Sequence, residues 1–206
     1  MNHKEILKYL LMIIILPFII LSAQENKYTL LLNAGISIPS IPSGFSNNWQ
    51  TGFTVGIGIG YNTSTYSHII VQFNYYNNQL DKDSYIERIA GGKSALDAEG
   101  GSTSIVTANI MYKPSFNSSG TIIPYLIFGI GLMNISKSNI TVSVYSESFL
   151  VEGESNVYFS LMGGAGVDIF VSKYLILFAE ANYYVGFKED ETVGFIPIRL
   201  GLSIKL

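Results

Sequence analysis

The sequence predicts an all-β fold, an eight-stranded antiparallel up-and-down barrel that crosses a membrane with its strands, and three observations support this prediction. After the first 23 of its 206 residues, apolar residues alternate with polar or small ones, which is the two-residue period of a β-strand. Charged residues within the alternating segments fall on the same face as the glycines. The connections between the segments are alternately short and long, as they are in membrane barrels.

The composition excludes several classes of protein. The chain is 48% hydrophobic and only 13% charged, whereas disordered chains combine low hydrophobicity with high charge. Its 20 Gly, 12 Phe and 14 Tyr are poor helix formers, which argues against a helical bundle. The absence of cysteine excludes disulfides, thiolate metal sites and cysteine nucleophiles. A net charge of −3 without clustered lysines or arginines gives no indication of nucleic-acid binding.

The first segment of the chain has the pattern of a secretory signal peptide. Two lysines precede a 13-residue apolar run, Tyr9–Leu21, and a small residue, Ala23, stands before a polar one. The run is shorter than the roughly 20 apolar residues that a membrane-spanning helix needs. We therefore predict a cleaved signal peptide over residues 1–23 and a single barrel domain over residues 24–206.

The first four predicted strands alternate as follows. Tyr28–Ile38 opposes leucine and isoleucine to threonine, asparagine and serine, and Trp49–Tyr61 opposes aromatic and β-branched residues to glycine, threonine and glutamine. His68–Gln79 sets isoleucine, valine and aromatic residues against glutamine and asparagine. Ser102–Lys113 sets valine, alanine and isoleucine against threonine, asparagine and lysine. Each segment therefore has one apolar face, as a half-buried strand requires.

The last four predicted strands continue the pattern, with more glycine and charge on the polar face. Ile122–Asn134 opposes leucine, phenylalanine and isoleucine to tyrosine and glycine, and Val157–Phe170 opposes aliphatic residues to serine, glycine and aspartate. Tyr174–Tyr184 sets leucine and alanine against phenylalanine, glutamate and asparagine. Phe195–Leu206 sets isoleucine and leucine against arginine, glycine and lysine. A soluble lipocalin-like barrel would alternate in the same way with its apolar face inward, so the period alone leaves both architectures open.

Charge placement favours a lumen lined by the polar face. The lumen of an eight-stranded barrel is just wide enough for side chains to fill, so inward glycines make room for inward aromatic rings. Glu180 and Arg199 fall at similar depth on adjacent predicted strands, and we expect them to form a lumenal ion pair, since buried charges need partners. Asp168 and Lys205 are expected to form a second pair nearer the periplasmic end. Both pairs are predicted to be structural.

Aromatic residues on the apolar face cluster near the two ends of the strands, which is the distribution found at the two lipid–water interfaces of membrane proteins. A sandwich core gives no reason for such a distribution. The predicted aromatic girdles comprise Tyr28, Tyr61 and Tyr112 at one rim and Trp49, Tyr75, Phe159 and Tyr183 at the other.

The lengths of the connections indicate which rim of the barrel faces the periplasm and which faces the exterior. Short connections are typical of periplasmic turns and long ones of extracellular loops, and 11 acidic residues fall in the long ones. The predicted turns are Asn62–Ser67, Pro114–Thr121 and Val171–Lys173, and the predicted loops are Pro39–Asn48, Leu80–Gly101, Ile135–Asn156 and Val185–Gly194.

Several motifs resemble the small outer-membrane β-barrel family, which includes the OmpA transmembrane domain, OmpX and PorT-type barrels. They are the glycines that follow Tyr125, the segment from Gly164 to Asp168 with its tight turn, and the strand that carries Glu180. The last eight residues are similar to the family's β-signal, although Leu206 stands where the family prefers an aromatic residue. The resemblance implies a barrel among the outer-membrane lipids of a Gram-negative-type bacterium, inserted by the outer-membrane assembly machinery. The residues that match the assembly signal are Arg199, Gly201, Ile204 and Leu206.

No catalytic, cofactor-binding or metal-binding residue is predicted. Ser/His/acid catalysis needs a histidine, and His68 alone follows the predicted signal peptide, beside a short turn. The glycine runs open no helix, so they are not phosphate loops, and the acidic loops lack a regular ligand spacing. We predict a non-enzymatic barrel with a side-chain-filled lumen and a structural or surface-interaction role through Leu80–Gly101 and Ile135–Asn156. A narrow pore, or a transporter of small apolar molecules, is the alternative.

Overall fold

The chain forms a closed antiparallel barrel with a small sheet and two short helices at one end. The computed structural model describes residues 27–64, 66–90, 96–116, 120–144, 147–189 and 191–206, so the predicted signal peptide lies outside the described residues. The elements are β1 (Tyr28–Ile41), α1 (Ser43–Asn48), β2 (Gly52–Ser64), β3 (Ser67–Gln79), α2 (Lys82–Ala90), β4 (Leu96–Gly100), β5 (Ser102–Pro114), β6 (Ile122–Lys137), β7 (Ile140–Val144), β8 (Glu147–Val151), β9 (Ser155–Phe170), β10 (Leu175–Lys188) and β11 (Glu191–Lys205).

Eight of these strands close into the barrel in the order β1-β11-β10-β9-β6-β5-β3-β2. All neighbours are antiparallel, and the barrel closes where β1 pairs with β11, with Leu30 opposite Ile204. The predicted eight-stranded barrel is therefore confirmed. Each of the eight strands extends beyond its predicted bounds at one end, because the ladders continue past the apolar band. In β6 and β9, for example, the ladder runs on to Ser136 and Ser155.

The apolar face of the barrel points outward and the polar face inward. Ile110 and Ile130, which lie opposite each other on β5 and β6, are 58% and 54% exposed on the outer wall. Arg199 and Tyr76 are fully buried in the lumen. A soluble barrel would have the reverse arrangement. In the part of the chain that the structure describes, no helix has the length and apolarity needed to cross a bilayer.

The barrel wall continues beyond one rim as a three-stranded sheet. β4, β7 and β8 pair in the same order as β5, β6 and β9, to which the chain joins them. Gly100, the last residue of β4, and Gly101, which precedes β5, have positive φ angles of 82° and 80°, which glycine adopts without strain. At Gly153 a side chain would collide with the Lys137 carbonyl. Three of the eight barrel strands, β5, β6 and β9, therefore bend at the rim and continue beyond it as β4, β7 and β8.

The long connections differ in part from the prediction. α1 lies in the connection from β1 to β2, and α2 lies between β3 and β4. Val185–Gly194 is wrong as a loop, because β10 and β11 stay paired to Lys188 and Glu191. A tight turn with a positive φ at Glu189 joins these two strands.

Candidate functional site

An ion pair lies at the centre of the lumen. Glu180 and Arg199 are direct neighbours across β10 and β11, and Arg199 Nη2 lies 2.7 Å from Glu180 Oε1. Arg199 also donates through Nη1 to Asn74 Oδ1 on β3, at 2.9 Å. Because both charged side chains are buried, the pairing removes the cost that an isolated charge would carry there. The structure thus brings together the two residues that the sequence places at equal depth.

A second ion pair joins the first through an aromatic ring. Tyr125 donates its hydroxyl to Glu180 Oε2 at 2.9 Å, and Lys113 Nζ lies 3.7 Å from the Tyr125 ring centroid. Lys113 Nζ also lies 2.7 Å from Asp168 Oδ2. The expected pairing of Asp168 with Lys205 is therefore wrong. Lys113 is buried and requires a carboxylate, whereas Lys205 is half-buried at the end of β11 and lies over the Phe170 ring.

The contacts extend to the opposite wall of the barrel. Asn33 on β1 donates through Nδ2 to Asn74 Oδ1 at 3.2 Å. We call the set Asp168, Lys113, Tyr125, Glu180, Arg199, Asn74 and Asn33 the central network. Its members come from seven of the eight barrel strands. Two cavities that lie beside it among the described residues have volumes of only about 10 and 30 Å³. The central network therefore fills the lumen.

Three aromatic rings form a layer next to the central network, on the side away from the short turns. The Phe195 ring stacks on Tyr184 with centroids 5.1 Å apart, and its centroid lies 4.8 Å from that of Tyr76. All three residues are fully buried. Arg199 Cζ lies 6.0 Å from the Tyr184 ring centroid, so the aromatic layer lies directly beside the central ion pair.

A larger cavity of about 480 Å³ lies beyond the aromatic layer, and we call it the mouth cavity. It lies at the rim where β1, β3 and β6 end and β11 begins, beside α1 and α2. Its apolar lining includes Phe45, Trp49, Leu80, Ile135, Ile140 and Val193, and its polar lining includes Asn48, Lys137, Tyr158 and Glu191.

Six of the seven predicted girdle residues lie on the outer wall or its rim. Tyr61, Tyr75, Tyr112, Phe159 and Tyr183 are exposed, and Tyr28 is half-buried against the Tyr61 ring. The placement of Trp49 in a girdle is wrong, because it is only 8% exposed and lines the mouth cavity. β2 begins only at Gly52, so Trp49 belongs to the connection that α1 folds over the lumen.

The remaining candidate residues have structural contacts. His68 Nδ1 lies 2.7 Å from Asn62 Oδ1 at the short turn between β2 and β3. Gly201 makes room for the Phe178 ring, with which a side chain at this position would collide. A role for Arg199, Gly201, Ile204 and Leu206 in assembly stays a prediction. Among the described residues, no group of three or more metal-ligating side chains occurs.

The sequence reasoning missed the residues of the mouth cavity. α1 and α2 are short, and their residues do not show the long helical period that identifies a helix from sequence. A weak signal was available, since Phe45 and Tyr85 are aromatic residues within predicted connections and Trp49 directly follows one of them.

The chain is similar to known outer-membrane barrels in sequence pattern and in fold. The sequence profile of the outer membrane protein beta-barrel domain matches residues 13–205. The crystal structure of Neisserial surface protein A aligns with a TM-score of 0.59 and 18% identity over 87% of this chain and 97% of that one.

Two further crystal structures show the same fold. The N-terminal β-barrel domain of Pseudomonas aeruginosa OprF aligns with a TM-score of 0.50 and 14% identity over 89% of this chain and all of that one. A major outer membrane protein from Thermus thermophilus gives 0.51 and 10%, over 87% and 99%. No curated protein matches the sequence significantly.

Proposed function

Because the chain belongs to the outer membrane protein beta-barrel domain family, we propose that it is a closed, non-enzymatic barrel of the Gram-negative outer membrane that acts through its outer rim. In this proposal the barrel strands anchor and hold the structure, while α1, α2 and the three-stranded sheet face the cell exterior and meet surface partners. Loops carried on a rigid scaffold are where function concentrates in such proteins.

The filled lumen is the observation that supports a closed barrel. The central network crosses the lumen through paired charges and hydrogen bonds, and the cavities beside it hold at most about 30 Å³. The aromatic layer lies between the central network and the mouth cavity. A continuous path for ions or small apolar molecules would require both layers to move.

Single-channel recording in planar lipid bilayers tests this proposal. We expect no steady current from the wild-type barrel. The control is a variant that opens both layers, with Glu180→Ala and Arg199→Ala in the central network and Tyr184→Ala and Phe195→Ala in the aromatic layer. It keeps the net charge, and we expect measurable conductance from it. A steady wild-type current of the same size as that of this variant would contradict a closed barrel and favour the pore.

The contacts of the titratable groups support a non-enzymatic role. His68 lies at the rim with the short turns, and its Nδ1 already contacts Asn62. The carboxylates of Glu180 and Asp168 are each bonded to a cation inside the lumen. Neither pair lies beside a cavity large enough to admit a substrate to the carboxylate.

The three-stranded sheet supports a surface role, because its edge strand β8 exposes three consecutive apolar residues, Phe149, Leu150 and Val151. Since the chain lacks cysteine, single-cysteine variants report which rim faces the exterior. We expect a membrane-impermeant maleimide to label Ser148→Cys in intact cells and Ser172→Cys only after the cells are broken. The reverse labelling would place the three-stranded sheet in the periplasm and contradict the proposal.

A further inference from the structure

We propose that the mouth cavity is a binding site for a small, uncharged, mostly apolar molecule that carries one hydroxyl or N–H donor. Binding at this site is separate from the surface role proposed for the three-stranded sheet, and it does not require an open lumen. Its volume of about 480 Å³ lies within the roughly 300–1,000 Å³ that is common for sites that take drug-sized molecules.

The walls of the cavity are built from different parts of the chain. Phe45 and Trp49 come from the α1 segment, Leu80 from the end of β3, and Ile135 from β6. All four are buried. Such a lining favours an apolar body, because the transfer of apolar surface out of water is favourable.

One polar atom in the lining has no partner. Asn48 is only 5% exposed, and its Oδ1 acceptor has no hydrogen-bond partner among the described residues. A buried acceptor without a partner is costly, and a ligand donor would remove that cost. Because Asn48 belongs to the cavity lining, a turn of its side chain toward the cavity would let a hydroxyl or an N–H group of the ligand supply the missing partner.

The charged groups of the lining are already engaged, which favours an uncharged ligand. Lys137 Nζ donates to Glu154 Oε1 at 2.6 Å. Glu191 Oε2 accepts a hydrogen bond from the Tyr158 hydroxyl at 2.8 Å. A charged ligand would have to compete with these contacts, whereas a neutral one leaves them intact.

Trp49 makes the site directly measurable, because it is the only tryptophan of the chain and it lines the cavity. The probe is N-phenyl-1-naphthylamine, an uncharged aromatic molecule with one N–H donor, which accepts energy from excited tryptophan. The experiment titrates this probe into the full folded barrel in lipid nanodiscs. We expect energy transfer that saturates at one probe per chain, above a linear background from probe dissolved in the lipid.

Space-filling variants identify the cavity as the place of binding. Val193→Phe fills the cavity from β11. Gly44→Leu fills it from α1, which is not part of the barrel wall, so this variant still tests the site if the β11 variant does not fold. We expect both to abolish the saturable transfer. The matched control Thr141→Phe puts the same ring on β7 next to Ile140, at a position outside the cavity lining, and should leave the transfer unchanged. Heat-modifiable gel mobility checks that each barrel is folded.

A second pair of measurements tests the hydrogen bond to Asn48. Asn48→Leu should weaken binding of the probe about fivefold, and N-methylation of the probe, which removes its donor, should weaken binding to the wild type by a similar factor. The methylated probe should bind the variant and the wild type equally.

Purely linear transfer to the wild type, or saturable transfer that survives in a folded Gly44→Leu variant, would overturn the proposed site. Equal binding of the two probes to the wild type would overturn the role of Asn48. Neither result bears on bilayer conductance, so the test is independent of the closed-barrel proposal.

Discussion

The membrane-level lumen and the outer mouth are built from the same strands but differ in how they use space. At membrane level all eight strands enclose the lumen, so inward side chains from opposite walls meet, and the space left over is about 10–30 Å³. Beyond the rim, in the part of the chain that the structure describes, β4, β7 and β8 alone extend the wall as a separate sheet, and short helices cover part of the rest. The cavity there is about 480 Å³. Closure of the wall on all sides is what allows charges to pair and fill the interior.

Removal of one partner of the central ion pair should have the largest effect. Glu180→Ala leaves Arg199 buried without a counter-charge, and we expect the free energy of unfolding to fall by about 3–5 kcal/mol. Urea unfolding of the barrel in lipid vesicles measures this loss. The matched control is Glu154→Ala at the mouth, where the partner Lys137 is exposed and the expected loss is at most about 1 kcal/mol. Equal losses would mean that the two regions do not differ in burial of charge.

A charge on the outer wall should separate the membrane-level barrel from the three-stranded sheet. Ile130→Arg puts a guanidinium on the lipid-facing side of β6, and we expect a cost of about 2–4 kcal/mol at the bilayer midplane. The folded fraction after refolding into vesicles measures it. Phe149→Arg, on the equally exposed β8, should change the folded fraction little, since β8 lies beyond the rim. A large effect at Phe149 would place the outer sheet within the lipid.

Two inward glycines, one beside the central network and one near the short turns, test how tightly side chains fill the lumen at these two levels. A side chain at Gly166 would lie 2.5 Å from the Tyr125 ring and 2.6 Å from the Ala179 carbonyl, so Gly166→Ala should cost about 1–3 kcal/mol. At Gly60, near the short turns, the nearest atom would be Leu31 Cδ1 at 3.4 Å. Gly60→Ala should therefore stabilise by about 0.5 kcal/mol. Thermal unfolding measures the stability of both variants relative to the wild type. If Gly60→Ala destabilised the barrel as much as Gly166→Ala, the lumen would not be more loosely filled near the short turns.

The smallest expected effect is a pH dependence at the bend between the barrel and the outer sheet. Lys137 donates a hydrogen bond to Glu154 and holds the pKa of that carboxyl below its ordinary value of 4.5. The contact therefore stabilises the bend fully above pH 4.5, and the stabilisation is lost as the pH falls through the lowered pKa. The protection factors of the β7 and β8 amides, which correct hydrogen exchange for its intrinsic pH dependence, should fall slightly over that range. The control Glu154→Gln should remove this pH step, and a step that persists in it would assign the change to another group.

The membrane-level barrel could be predicted almost completely from the sequence, whereas the mouth could not. Alternation at period two is a local signal, so the strands and the outward direction of residues such as Ile130 follow from it. The pairing of Glu180 with Arg199 follows too, because adjacent strands of similar length put them at equal depth. The partner of Asp168 depends on a side chain two strands away, where Lys113 reaches over the Tyr125 ring. Nothing local in the sequence carries that information.

The sequence by itself determined the number of barrel strands, their alternation, and the inward face that holds glycine and charge, because each of these depends on neighbours two residues apart. Only the tertiary structure decided that Lys113 pairs with Asp168, that Trp49 turns into the mouth, and that three strands bend and continue at Gly100, Gly101 and Gly153. These features arise from contacts between segments far apart in the chain, whose distances are set by barrel closure and by the folding of α1 and α2 over its rim.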